Sequence, residues 1–213
     1  MLKAVLFDWD GTLVNSLVNI EKTYRKVEKE LRLGYPYEKF RLLIGIPTSE
    51  QAKLVMPEDP DYYIEYYRKA YASNDPDPAY PGAGEALAAL KAMGLAVGLV
   101  TSKTRASLTA SAMALGLLQY FDLTVCGDHV ARPKPDPLPV ETALKKMGLR
   151  PEEAVYAGDS VQDLLCARGA GVKVISVTWG ARRRDELAAE KPEFLADSWD
   201  DLIAAGKALA EQP

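Results

Sequence analysis

Apolar residues recur along this chain in two rhythms, and the rhythms divide it. Between residues 17 and 31, Leu17, Ile20, Tyr24, Val27 and Leu31 return every three or four positions, the spacing of one helix face. Lys22, Arg25, Lys26 and Lys29 fall on another face, where water solvates them. Gly34-Tyr35-Pro36 stops that helix, and the apolar stretch 40–46 ends in the turn Gly45-Ile46-Pro47. Tyr62, Tyr63, Tyr66, Tyr67 and Tyr71 mark an aromatic-rich helix over 61–72, read first as internal packing and second as a dimer surface. Asn74-Asp75-Pro76-Asp77-Pro78 then breaks all regular structure. No strand is predicted between residues 15 and 79, so this segment reads as an all-helical insert on two linkers.

After Pro81-Gly82 strands and helices alternate. Strands are predicted over 96–100, 123–125, 154–158 and 172–177, with helices over 85–93, 105–115 and 139–147 and another including 164–167. Ser198 with Asp201 gives the last helix a box-like N-cap. A further apolar strand opens the chain at residues 4–7. Repeated βα units with Val- and Leu-rich strands predict an α/β domain, a parallel sheet with helices on both faces. Its parts are residues 1–14 and 80–213, with 15–79 as the insert. In such sheets ligands sit at the carboxyl ends of the strands, where the strand order reverses.

That rule directs attention to Ala4-Val5-Leu6-Phe7-Asp8-Trp9-Asp10-Gly11-Thr12, a buried strand ending in two carboxylates one residue apart. A bare D-x-D reads as solvated acids in a turn. Asp-x-Asp-Gly-Thr directly after an apolar strand is more specific, because Gly11 permits a sharp turn and buried carboxylates call for a cation. Later strand ends add Thr101 and Ser102, then Asp159 with Asp163 four residues on, and Lys134 stands in the proline-stiffened Arg132-Pro133-Lys134-Pro135 loop. Each alone has an ordinary reading, as a cap, a surface lysine or a loop acid. Together they form a set at corresponding strand ends.

Composition narrows the chemistry. The 213 residues are 48% hydrophobic, enough for a sizeable core in one large domain or one domain with an insert. A net charge of -4 offers no basic field to nucleic acid, and no apolar run approaches the ~20 residues of a membrane span. The chain enters its first strand at once, without a signal peptide, so a cytoplasmic protein is expected. Cys126 and Cys166 lack metal-ligand spacing and read as free buried thiols. His129, the one histidine, cannot anchor a His-based triad or a zinc site. The chemistry therefore rests on carboxylates, hydroxyls and lysines.

Asp8-Trp9-Asp10-Gly11-Thr12, Val100-Thr101-Ser102, Lys134-Pro135 and Gly158-Asp159-Ser160-Val161-Gln162-Asp163 resemble the four motifs of the haloacid dehalogenase superfamily, over nearly the whole chain. The insert resembles that superfamily's C1 cap, and the overall pattern is similar to phosphoglycolate phosphatases and related pyrophosphatases. The resemblance implies a Rossmann-like core with the first motif on its central strand, and Mg²⁺-dependent phosphoryl transfer through an aspartyl-phosphate. Carried over residue by residue, it makes Asp8 the nucleophile and Asp10 the acid and base. Mg²⁺ is held by Asp8, the Asp10 carbonyl and Asp159, with Asp163 orienting that shell. Lys134 neutralises charge, and Thr101 with backbone N–H groups near Ser102 and Gly11 holds the phosphate.

Several readings remain open at this level. Asp10 argues against haloalkanoic dehalogenases, which lack the second acid, and Ile20 stands where the related mutases carry a cap histidine. Hydrolysis of a small phosphomonoester is expected, with inorganic pyrophosphate as the alternative substrate and a non-catalytic phosphate-binding or regulatory module as the rival from another class. Asn15 stands where many relatives have Asp, at a hinge position. Substrate choice is assigned to the Ile44-Gly45-Ile46-Pro47 turn, with Arg25 or Arg41 as cations for an anionic substrate and Arg132 as a weaker candidate. Either a monomer or a homodimer is expected.

Overall fold

The structure, a computed structural model, describes residues 1–210. Its frame is a six-stranded, wholly parallel sheet: β1 (Ala4–Phe7), β2 (Ala96–Val100), β3 (Leu123–Val125), β4 (Ala154–Gly158), β5 (Lys173–Val177) and β6 (Phe194–Ala196), in the order β3-β2-β1-β4-β5-β6. The order reverses at β1, which pairs with β2 on one side and β4 on the other, Leu6 facing Gly98 and Tyr156. That is the α/β sheet the alternating pattern predicts, with the Asp-x-Asp strand at its centre.

The helices, in chain order, are α1 (Leu17–Leu31), α2 (Tyr37–Phe40), α3 (Thr48–Val55), α4 (Pro60–Tyr71), α5 (Ala83–Ala92), α6 (Arg105–Ala114), α7 (Leu138–Met147), α8 (Val161–Gly169), α9 (Arg184–Ala189) and α10 (Trp199–Ala210). Alternation along the strands sorts the core into two layers. Val5, Phe7, Val97, Leu99, Val155 and Ala157 pack under α5, α6 and α10 through Leu87, Leu108 and Leu202. Ala4, Leu6, Val100, Tyr156 and Val174 pack under α7 and α8 through Val140, Leu144 and Leu164. Each of the larger apolar side chains contributes roughly 1.5–3 kcal/mol when fully buried.

Helices α1–α4 surround a separate aromatic cluster. Tyr24 stacks on Phe40 with ring centroids 3.7 Å apart, and Tyr63, Tyr67 and Tyr71 stack in series along α4. Asp59 caps α4 by accepting from the Tyr62 N–H, with Pro60 at the first helical position. The two connections lie side by side: the Asn15 N–H donates to the Pro78 carbonyl and the Tyr80 N–H to the Leu13 carbonyl. No helix among the described residues is long and apolar enough to cross a membrane.

Two elements go beyond the sequence reading. The edge strand β6 stands directly after Lys191-Pro192-Glu193, which reads as a loop, and α9 is a six-residue helix in a charged stretch. The strand expected over 172–177 begins one residue later.

Candidate active site

The carboxyl ends of β1, β2 and β4 meet at one place, and four charged side chains are buried there. Asp8 ends β1, Asp159 ends β4, Asp163 lies in the first turn of α8, and Lys134 reaches in from the loop before α7. All are at most 3% exposed. Lys134 Nζ donates to Asp8 Oδ1 at 2.8 Å, to Asp163 Oδ1 at 2.6 Å and to the Tyr156 hydroxyl at 2.9 Å. An ammonium has three protons, so this donor is fully used.

Asp163 is equally saturated. Its Oδ1 accepts from Lys134 and Tyr156, and its Oδ2 accepts from the Ser160 N–H and hydroxyl. The Ser160 hydroxyl in turn caps α8 through the Asp163 N–H, so the helix cap and the lysine anchor are one structure. Among the described residues Asp159 accepts only from neutral donors, Thr12 Oγ1 at 2.9 Å and the Ala181 N–H at 2.6 Å. Asp8 lines the cavity described below, and its Oδ2 accepts no hydrogen bond from the described residues.

The electrostatics follow from burying three carboxylates around one cation. Burial pushes the Asp8 carboxyl well above the usual range; Lys134 opposes this, while Asp163 and Asp159 add to it. Burial and then Asp163 push Asp159 up to about 7. Burial pulls Lys134 down, but Asp163 and Asp8 outweigh it and hold the ammonium above its ordinary value. The cluster is short of positive charge. Asp8, Asp159 and Asp163 each offer an oxygen within 4.8 Å of the others, a donor set suited to a hard divalent cation. Gly11 makes the close approach possible: its φ is +82°, and a Cβ there would overlap the Asp159 carboxylate.

A cavity of about 950 Å³ opens from these tips toward α1, α3 and α4, lined by Asp8, Asp10, Thr101, Ser102 and Lys103 on the sheet side. Ile20, Ile44, Gly45, Ile46, Tyr67 and Tyr71 face it from the insert. Asp10 lies at this mouth, its Oδ1 2.8 Å from Lys103 Nζ. Thr101 Oγ1 accepts from the Lys103 N–H, which leaves its own hydroxyl proton to donate. Ser102 Oγ donates to the Gly45 carbonyl at 2.7 Å and so ties the substrate-side turn to the sheet. Gly45 has φ +106°, and a Cβ there would stand 2.8 Å from Ser160 Oγ. Gly11 gives its own N–H to the Val14 carbonyl, so its part is steric rather than phosphate-binding.

The arginines assigned to substrate are placed elsewhere. Arg41 forms a two-pronged pair with Glu186 of α9, at 2.6 and 3.1 Å. Arg25 pairs with Glu21 and lies over the Tyr37 ring. Arg132 pairs with Asp136. None of the three lines the cavity. Both cysteines are free and buried. Ligand atoms of Cys126, Asp128 and His129 do come within 4.8 Å of one another, a grouping that sequence spacing did not suggest; His129 Nδ1 there accepts from the Cys126 N–H.

Sequence reading passed over Lys103, Tyr156 and Thr12. Lys103 follows Thr101 and Ser102 at the same strand end, so the rule that selects them selects it as well. Thr12 belongs to the Asp-Gly-Thr run itself. Tyr156 is a lone hydroxyl in an otherwise apolar strand, and a buried hydroxyl needs a partner.

The chain is similar to known proteins along most of its length. The family model described as haloacid dehalogenase-like hydrolase matches residues 5–177. A curated protein of Dickeya dadantii named "Probable phosphatase IndB" is 33% identical, over 98% of this chain and 95% of its own. "Pyrophosphatase PpaX" of Bacillus velezensis is 32% identical, over 94% of each chain. A crystal structure described as a predicted phosphoglycolate phosphatase from Haemophilus somnus superposes with a TM-score of 0.79 at 25% identity, covering 96% of this chain and 97% of that one.

Proposed function

The chain belongs to the haloacid dehalogenase-like hydrolase family, and on that premise we propose that it is a magnesium-dependent phosphatase that hydrolyses a small phosphomonoester through an aspartyl-phosphate on Asp8. The observation that carries the reading is Lys134, buried and spent on Asp8 and Asp163, beside an Asp8 that lines a cavity and whose Oδ2 accepts no hydrogen bond from the described residues. An attacking carboxylate and a phosphate dianion repel; at ~4 Å each unit pair costs roughly 4 kcal/mol at an effective dielectric near 20. The site must supply positive charge, and Lys134 supplies one unit.

The donor set fits magnesium. Asp8, Asp159 and the backbone carbonyl of Asp10 are the residues that would hold it, since Asp163 has both oxygens occupied. Bound there, the ion would supply the remaining charge neutralisation. Asp163 serves by holding Lys134 in place, and Tyr156 fixes the same ammonium from the strand beside it.

In the first step Asp8 Oδ2 attacks phosphorus, and the bond to the ester oxygen breaks. Asp10 gives that oxygen a proton. In the second step Asp10 takes a proton from water, which attacks phosphorus, releases phosphate and frees Asp8. Thr101 Oγ1 and the Ser102 N–H, which donates to no backbone carbonyl among the described residues, would hold the phosphoryl oxygens. Helices α1–α4, residues 15–79 with their linkers, act as the cap that excludes water and selects the leaving group. No catalytic group of the proposed set is missing, which speaks against a purely phosphate-binding module.

Phosphoglycolate-like esters are the favoured substrates. The Bacillus relative's name gives pyrophosphate as the second reading. The test is a phosphate-release screen over phosphoglycolate, pyrophosphate, sugar phosphates and nucleotides, with magnesium and with chelator. Release that needs magnesium and is strongest with one small substrate supports the proposal. Release unaffected by chelator, or none from any substrate, refutes it.

A further inference from the structure

Two cations line the cavity, and they are held differently. Arg68 projects from the exposed side of α4. Lys103 lies deeper, its side chain 17% exposed and its ammonium 2.8 Å from Asp10 Oδ1. Its backbone is pinned on both sides: the N–H donates to Thr101 Oγ1 at 3.2 Å, and the carbonyl accepts from the Gly127 N–H at 2.8 Å. The attack on phosphorus has no use for this charge. Lys134 already donates to Asp8, whereas Lys103 donates to Asp10.

A desolvated ammonium beside the general acid serves what is attached to the leaving oxygen. If Asp10 touches that oxygen, atoms one or two bonds beyond it come within reach of Lys103. The insert faces this region with Ile20, Ile44, Ile46, Tyr67 and Tyr71, which carry no formal charge, and its one lining acid, Glu50, is paired with Lys53 at 2.8 Å. An anionic group placed there meets Lys103 in surroundings where charge is poorly screened.

We propose that Lys103 determines specificity by recognising a second anion, carboxylate or phosphate, carried on the leaving group. The inference rests on the phosphatase reading above and names the esters that site favours.

The test pairs two substrates with similar alkyl leaving groups, phosphoglycolate and 2-hydroxyethyl phosphate, so that only the distal charge differs. Wild-type enzyme is expected to prefer phosphoglycolate by ~10- to 100-fold in kcat/KM, the scale of one charge-assisted contact. K103M should bring the two within ~3-fold, chiefly by raising KM for phosphoglycolate; K103R, which keeps the charge but moves it, should fall between. R68A should retain the preference. Equal losses on both esters in K103M would make Lys103 a support for Asp10 only and overturn the proposal. So would a wild-type enzyme without preference, or its disappearance in R68A. A K103R preference equal to wild type overturns it even if K103M does not fold. Wild-type hydrolysis of p-nitrophenyl phosphate separates the two failures: activity there without anion preference removes only the role of Lys103, whereas no hydrolysis of any ester removes the phosphatase reading too.

Discussion

The strand tips and the helical insert treat charge in opposite ways. At the tips, Asp8, Asp159, Asp163 and Lys134 are almost wholly buried, and every contact of the lysine is used. In the insert the interior is a stack of tyrosines around Phe40, and ion pairs such as Arg25–Glu21 and Lys53–Glu50 stay at the surface. The insert reaches the sheet side largely through its backbone. Leu42 and Gly45 give their carbonyls to Gln162, Arg182 and Ser102, with Arg41–Glu186 as the ion pair across the gap. A fault at the tips should therefore damage chemistry and stability together, whereas a fault in the connecting contacts should damage substrate handling with little loss of stability.

The largest effect is expected at Lys134. Replacing it with Met leaves three buried carboxylates without their cation, a destabilisation of ~3–5 kcal/mol in urea titration and a loss of turnover of ~10²- to 10³-fold. The stability loss should grow with pH. Because the folded Asp159 carboxyl is raised to about 7, its contribution is complete below the ~3.9 of an unfolded aspartate and is lost as pH rises through 7. A K134M protein as stable as wild type at pH 8 would mean that the tips tolerate unpaired charge.

Asp10→Asn comes next. Removing the proton donor should cost ~10²- to 10⁴-fold on alkyl phosphates. In kcat/KM, which reads the first step, the cost should be smaller on p-nitrophenyl phosphate, whose leaving group needs no proton. Equal losses in kcat/KM on both would separate Asp10 from acid catalysis.

The smallest effect belongs to the Arg41–Glu186 contact. Arg41→Ala should cost about 1 kcal/mol or less and change KM more than kcat. Arg41 pulls the Glu186 carboxyl down to about 2, so the pair stabilises fully above the ~4.3 of an unfolded glutamate. That stabilisation fades as pH falls toward 2, and thermal midpoints of wild type and variant should converge there. A variant whose kcat falls as far as that of K134M would erase the contrast between the two regions.

The same contrast explains what could be read in the sequence. Asp8, Asp159 and Lys134 stand at strand ends or in a proline-stiffened loop, where position along the chain fixes position in the fold. The parallel sheet was legible because β1 and β4 are wholly buried runs and β2 and β5 are buried beyond their first residue. Strand β6 was not, because Phe194–Ala196 stands between Lys191-Pro192-Glu193 and Asp197, a setting that reads as loop. Nor was the partner of Arg41, since which side of a short helical segment faces the sheet depends on packing between segments far apart in sequence. Arg41 and Glu186 are 145 residues apart. Lys103 was within reach of the strand-end rule, but a lone lysine reads as a solvated one until Asp10 is found beside it.

The central claim concerns Asp8, and an acid-quenched reaction of Asp10→Asn enzyme with p-nitrophenyl phosphate tests it most directly. Departure of the aryl group needs no proton, but hydrolysis of the acyl phosphate needs the base, so the intermediate should accumulate. Mass spectrometry is expected to find one phosphoryl group on the peptide carrying Asp8, removable by hydroxylamine. A phosphoryl group on any other residue, or steady turnover by an Asp8→Asn enzyme, would contradict it.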